Sequence, residues 1–396
     1  MPTVFPHAAA PGREALEEPF AVVASTAPSD RERGRPASAR APRRSAPPIL
    51  VRQVRNGVEE SAHRGDIVEV DTRGRALRAI GDPNHLVNLR SAVKPFALLA
   101  LLEAGGLAEF ELEPAELAIM TGSHSGEDLH VRTLQAMFRR TGVSQAGIAT
   151  GIEHMPLDAL TAARLARDGE RPSDIRHMCS GTHAAFLLLS RLRGWSPEEY
   201  WLGDHPTQQA VADVVARVFG TTVSRLRLGI DGCGIPTYAF PLHEVARAYA
   251  FLADPESVRS DDSRASLARS MQVVRDAMLA NPEMVAGSRD RLDTSAMKAL
   301  PGRIVAKGGA EGLRCYAVLP GPRARGGSAA ASGLAIKIED GDKKDRARGA
   351  AVVRALWQLG ALTDEDVSAL SKFASQTITN HRGDRVGETR AEFELV

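Results

Sequence analysis

The chain has 396 residues, with 50 Lys+Arg against 49 Asp+Glu and a formal net charge of +1. That balance excludes a dedicated polyanion binder, which carries a basic excess, so no nucleic-acid partner is expected. Three cysteines, Cys179, Cys233 and Cys315, cannot build a disulfide framework and point to a reducing, cytoplasmic setting. No apolar run approaches the ~20 residues needed to span a bilayer, so no membrane partner is expected either.

Residues 1–48 hold nine of the 23 prolines and eleven alanines and carry seven arginines against five acids. The stretch has no periodicity and reads as a disordered extension. Its five acids argue against a transit peptide, and it lacks the apolar core of a secretory signal. From Ile49 the pattern turns strand-like, with short runs at Ile49–Val54, Ile67–Asp71 and Ala76–Ile80 separated by turn signals at Asn56-Gly57 and Thr72-Arg73-Gly74. Helical periodicity then dominates from Ser91 to about Arg291: Phe96–Ala104, Leu129–Arg140, Leu157–Arg167, Ala184–Arg193, Gln208–Val218, Leu242–Leu252 and Ser263–Leu279. Strand signal returns at Leu313–Leu319 and Gly333–Glu339, and Ala347–Gln358 forms a final helix. Strands, then helices, then strands favour an α+β fold. The expected architecture is one antiparallel sheet built from N- and C-terminal strands with flanking helices, plus a helical domain. Residues 49–115 and 300–396 form the α/β part of a 49–396 domain, and 116–299 the mainly helical part.

Lysine occurs only seven times, so 43 of the 50 basic residues are arginine. Arginine stays protonated and cannot serve as a base, whereas a desolvated lysine can. Lys94 and Lys307 are the two lysines set among apolar or glycine neighbours. Lys94 closes Ser91-Ala92-Val93-Lys94, where the i and i+3 side chains share a helical face. Pro95 pins the helix start nearby, and free amides at a helix N-terminus can stabilise an oxyanion. The structural alternative for Ser91 is an ordinary N-cap. Ser125, with Asp128 three residues on, reads as a helix cap. Ser123, beside Gly122 and after the apolar Leu117–Met120 run, has no such role and is placed to project into a cleft. Lys307-Gly308-Gly309 allows close backbone approach by a ligand, or alternatively a bulge. Cys179 and Cys233 lie in Cys179-Ser180-Gly181-Thr182-His183 and in the glycine-rich loop Ile230–Thr237. No Cys-x-x-Cys pair supports a zinc site.

Taken together, Arg90-Ser91-Ala92-Val93-Lys94-Pro95, Ser123-His124-Ser125-Gly126-Glu127, Cys179–His183, Asp231-Gly232-Cys233 with Pro236-Thr237, and Ala306–Gly309 resemble the third class of L-asparaginases, the asparaginase II or rhizobial-type family. The resemblance runs in the family's order from about Ile49 to the C-terminus. It implies a serine β-lactamase- and penicillin-binding-protein-like fold, a homodimer, and an amidohydrolase releasing ammonia from L-asparagine through an acyl-enzyme. It further implies Ser91 as nucleophile, Lys94 as its base, Ser123 and Lys307 as a second serine–lysine pair, and Arg90, His183 and Asp231 at the substrate. The family holds zinc between two cysteines and an intervening lysine. Cys179 and Cys233 match the cysteines, but Thr182 stands in place of the lysine, so the expectation is an enzyme that requires no metal. Two other readings share these residues: another serine–lysine amide or β-lactam hydrolase, and a non-catalytic homologue that binds its ligand.

Overall fold

The computed structural model describes residues 45–151, 156–171, 173–326 and 329–396. Most of the extension expected over 1–48 falls on 1–44, outside the described residues. At its end, the Pro47 and Pro48 carbonyls accept hydrogen bonds from Arg64 Nη1 and the Gly65 amide.

The main sheet has eight strands, all paired antiparallel. They are β1 (Ile49–Arg55), β2 (Val58–Asp71) and β3 (Ala76–Ile80) from the N-terminal part. A short β4 (Leu86–Asn88), β5 (Arg227–Ile230) and β6 (Pro236–Pro241) make a separate three-stranded sheet in the order β4-β6-β5. The main sheet is completed by β7 (Ile304–Gly308), β8 (Leu313–Val318), β9 (Ser332–Ile338), β10 (Thr377–Thr379) and β11 (Arg385–Ala391). Its order is β10-β11-β1-β2-β9-β8-β7, with β3 paired to β2. N- and C-terminal strands therefore interleave, as the strand–helix–strand order of the sequence predicts.

Local chemistry explains the pieces. Asn56 and Gly57 both take positive φ, 48° and 80°, and close the β1–β2 hairpin. Strand β2 is far longer than the Ile67–Asp71 segment predicted. Its first residues are exposed and lack apolar alternation, and cross-strand bonding to β1 holds them extended instead. The Leu242–Ala253 helix packs on β2, β8 and β9, and the Arg348–Gln358 helix on β1, β9 and β11. Burial beneath these helices accounts for the near-continuous apolar character of β8 and β9, and the Leu292–Ala299 and Ala268–Ala280 helices cover β7. In the middle of the chain, the Pro114–Thr121 helix packs against both the Ser180–Arg193 and Ala268–Ala280 helices.

Two local expectations change. The glycine-rich loop at Ile230–Pro236 is the turn of the β5–β6 hairpin, inside the stretch read as helical. The Ser91 helix is broken: a 3-10 turn over Arg90–Val93 leads into short α segments at Lys94–Ala97 and Leu99–Glu103. Ser91 therefore sits in a tight turn and not at the head of a long helix.

Candidate active site

Three chain crossings meet at the end of the Pro114–Thr121 helix. Gly122 ends that helix in an extended conformation, and any Cβ there would lie 2.6 Å from the Met284 carbonyl oxygen. Only glycine permits this approach, which seats the Ser123 amide on the Val285 carbonyl at 2.7 Å. The Ser180–Arg193 helix reaches the same point through Gly181, where a Cβ would stand 2.2 Å from the Ile119 carbonyl oxygen. The Arg90–Val93 turn is clamped by Tyr249, whose hydroxyl donates to the Ala92 carbonyl at 2.8 Å.

The result is a serine held by two lysines. Lys94 Nζ donates to the Gly122 carbonyl at 2.9 Å and lies 3.3 Å from Ser123 Oγ. From β7, Lys307 Nζ lies 3.0 Å from the same oxygen and donates to the Gly308 carbonyl at 2.7 Å. Both lysines are 1% exposed, while Ser91 and Ser123 are half-buried, so the cluster opens to solvent at its hydroxyls. Burial, and then the neighbouring Lys94 charge, pull the Lys307 amine down to about 7 despite the opposing charge of Asp293. An amine with that value exchanges protons near neutrality.

The structure brings Lys94, Ser123 and Lys307 together. Ser91 lies one turn before Lys94, yet no described residue hydrogen-bonds its hydroxyl. Arg90, immediately before it, adopts φ 48°, a left-handed conformation uncommon for a non-glycine residue. Arg90 Nε meets Asp231 Oδ1 at 2.6 Å, so the Asp231 carboxylate already has a cationic partner. His183 Nδ1 lies 2.6 Å from the Tyr200 hydroxyl, which also accepts from the Ala149 amide. The hydroxyl proton then points to Nδ1 and leaves the imidazole proton on Nε2, a buried atom with no partner among the described residues. Burial drops His183 to about 3, so the ring is neutral.

The two cysteines are adjacent, free and buried. A hydrogen bond from Cys233 and the Lys94 charge favour the thiolate on Cys179, while the same contact pushes the Cys233 thiol up. A zinc ion needs at least a third protein donor here. The Thr182 hydroxyl, at the position matching the family's lysine, donates to the Met120 carbonyl at 2.8 Å. The described residues contain no group of three or more His, Cys, Asp or Glu donors that could hold a metal. The residues present do not fit the family's metal site.

The family described as L-asparaginase II matches residues 51–391. The chain belongs to this asparaginase II family. It is thus an amidohydrolase, and the family points to a small-molecule amide substrate. No curated protein matches the chain. A solved structure of a Bacillus subtilis probable glutaminase is similar to it at 12% identity, over 78% of this chain and 87% of that one, with a TM-score of 0.34. No described helix of this asparaginase II member is long and apolar enough to cross a membrane.

Several residues around the cluster escape a reading of the sequence. Asp293 accepts from the Gly308 amide at 2.7 Å and pairs with Arg314 at 3.2 Å. Burial pushes its carboxyl up, but the Arg314 and Lys307 charges outweigh that and hold it low. Arg291 Nη2 donates to the Ser123 carbonyl at 3.0 Å. Both residues come from Arg289-Asp290-Arg291-Leu292-Asp293, a stretch that carries none of the motifs quoted above. Ser125 also differs from expectation. Its hydroxyl donates to the Ala286 carbonyl at 2.9 Å, and the following helix, Asp128–Thr141, is capped through Glu127 and His130.

Proposed function

We propose that the chain hydrolyses the side-chain amide of L-asparagine to L-aspartate and ammonia through a serine acyl-enzyme. The observation that carries this reading is the convergence of two buried lysine amines on the Ser123 hydroxyl, at 3.3 and 3.0 Å, one of them Lys94, three residues after Ser91. An unactivated amide needs a strengthened nucleophile and a proton for its leaving nitrogen. In the proposed sequence, the Ser91 oxygen attacks the amide carbon while Lys94 takes its proton. The tetrahedral oxyanion then collapses, breaking the C–N bond. Ser123 passes its proton to the departing nitrogen and is replenished from Lys307, which releases ammonia. Water, deprotonated by the same lysine–serine pair, cleaves the ester, and Lys94 returns its proton to the departing Ser91 oxygen. The Arg90–Asp231 pair and His183 are assigned to orienting the amino-acid end of the substrate.

One observation favours a second reading. Both lysines bond Ser123 and neither bonds Ser91, which makes Ser123 the better-activated hydroxyl, with Lys307 as its base. Ammonia release from L-asparagine, L-glutamine and a chromogenic β-lactam tests the substrate. Trapping the acyl group and locating it by peptide mass mapping tests the nucleophile. An adduct on Ser91 supports the first reading, an adduct on Ser123 the second. No ammonia from asparagine overturns the function itself.

A further inference from the structure

Adjoining the serine–lysine cluster through Arg291 and Asp293 lies a cavity of about 610 Å³, whose walls include Arg289, Arg291, Arg314, Arg348 and Lys372. None of Ser91, Lys94, Ser123 or Lys307 lines it. Four of its five cations have carboxylate partners. Arg289 grips Asp158 through two nitrogens, at 2.9 and 2.6 Å, and also lies 3.1 Å from Glu127. Arg314 pairs with Asp293, Arg348 with Asp342 and Asp345, and Lys372 with Asp290.

Arg291 is the exception. Among the described residues, no carboxylate lies within ion-pair distance of it. Its guanidinium donates to the Ser123 carbonyl at 3.0 Å and, more weakly, to Ser125 Oγ at 3.4 Å. The carboxylates that act on it from farther away, Asp293 and Glu127, are engaged by Arg314 and Arg289. Burial lowers its pKa, but a guanidinium does not lose its proton in a protein, so the charge persists and a counter-ion is what the site lacks. A second, independent donor faces the same need. Arg314 Nε is buried with no hydrogen-bond partner among the described residues, its one bond to Asp293 using Nη1. Buried donors of this kind are normally satisfied, and the planar guanidinium fork matches a carboxylate in geometry and charge.

We propose that this cavity binds a small carboxylate anion, held by the Arg291 guanidinium. The bound anion would sit one residue behind both catalytic hydrogen-bond partners. Arg291 is bonded to the Ser123 carbonyl, and Arg314 shares Asp293 with the Gly308 amide, next to Lys307. Occupancy would thus be felt at the Ser123–Lys307 pair without the anion entering the amide site. The inference stands on the cavity alone and does not require the proposed substrate.

The test uses the full chain and succinate as probe, with sodium chloride at matched ionic strength as control and sulfate as a second anion. Succinate at ten times its dissociation constant should raise Tm by roughly 2 °C above the chloride control. Calorimetric affinity should fall about tenfold in Arg291→Lys, which keeps the charge but loses the fork. Lys307→Ala, which disables the catalytic cluster, should still bind. No Tm rise over chloride in the wild type overturns the proposal without reference to any variant. Unchanged affinity in a folded Arg291→Lys protein, or binding lost only in Lys307→Ala, places the anion elsewhere and also overturns it. Equal binding of sulfate overturns the assignment to carboxylates.

Discussion

Two buried cationic neighbourhoods lie back to back in this molecule, and they differ in the residue that carries the charge. At Ser123 the cations are lysines, and at the neighbouring cavity they are arginines. Burial acts on both in the same direction, disfavouring the charged form. Lysine answers by shedding its proton, so Lys307 falls to about 7 and becomes an amine that takes and returns protons. Arginine has no such response. Its charge remains and must be met by carboxylates, as at Arg289, or by an outside anion, as inferred at Arg291. The same physical stress therefore yields proton transfer on one side and anion demand on the other.

The largest expected effect breaks the lysine side at its nucleophile. Ser91→Ala should lower ammonia release by about 10³-fold or more while leaving Tm unchanged, since no described residue hydrogen-bonds its hydroxyl. A folded variant that retains turnover moves the nucleophile to Ser123, and Ser123→Ala then becomes the inactivating change.

Turning the lysine side into a copy of the arginine side comes next. Lys307→Arg should cost roughly 100-fold, because a guanidinium can neither give Ser123 a proton nor take one from it. In the wild type the rate should change with pH at about 7 and not near lysine's ordinary 10.5. It falls as pH rises if Lys307 replenishes the Ser123 proton, and climbs if Lys307 is the base of Ser123. Stability rises with pH. The folded state disfavours the Lys307 cation, so the penalty is fully present below about 7 and relieved as pH rises toward 10.5. A rate independent of pH across this interval would remove Lys307 from the proton path.

The reciprocal exchange, Arg291→Lys, should weaken succinate by about tenfold, as read by calorimetry. A smaller effect concerns the cysteines. With Thr182 bonded to Met120, purified protein should hold well under one zinc per chain by elemental analysis, and chelation should change activity by less than about twofold. Thr182→Lys, which restores the donor type of the family, should raise the zinc content. A tightly held stoichiometric zinc in the wild type would show that another donor completes the set.

Much of this was written in the sequence because it depends on local chemistry. Strand and helix periods placed the longer helices and five strands, the Asn56-Gly57 signal marked the β1–β2 hairpin, and the order of elements implied one antiparallel sheet. The scarcity of lysine picked out Lys94 and Lys307, since only a residue able to lose its proton gains a function from burial. What the sequence could not carry were contacts between distant segments. Nothing in the spacing of Ser91 and Lys94 reveals that Lys94 Nζ turns to Gly122 and Ser123. That choice follows from the close approach at Gly122 and the broken helix after Pro95, both set by packing. The run Arg289–Asp293 carries no motif, and its charges alone do not say which of them are buried. Only the folded chain separates Arg289, which finds two carboxylates, from Arg291, which turns inward to the Ser123 carbonyl and finds none. Residue identity decided which groups could shed a proton, and tertiary structure decided which of them were buried, beside what, and with which charges left to satisfy.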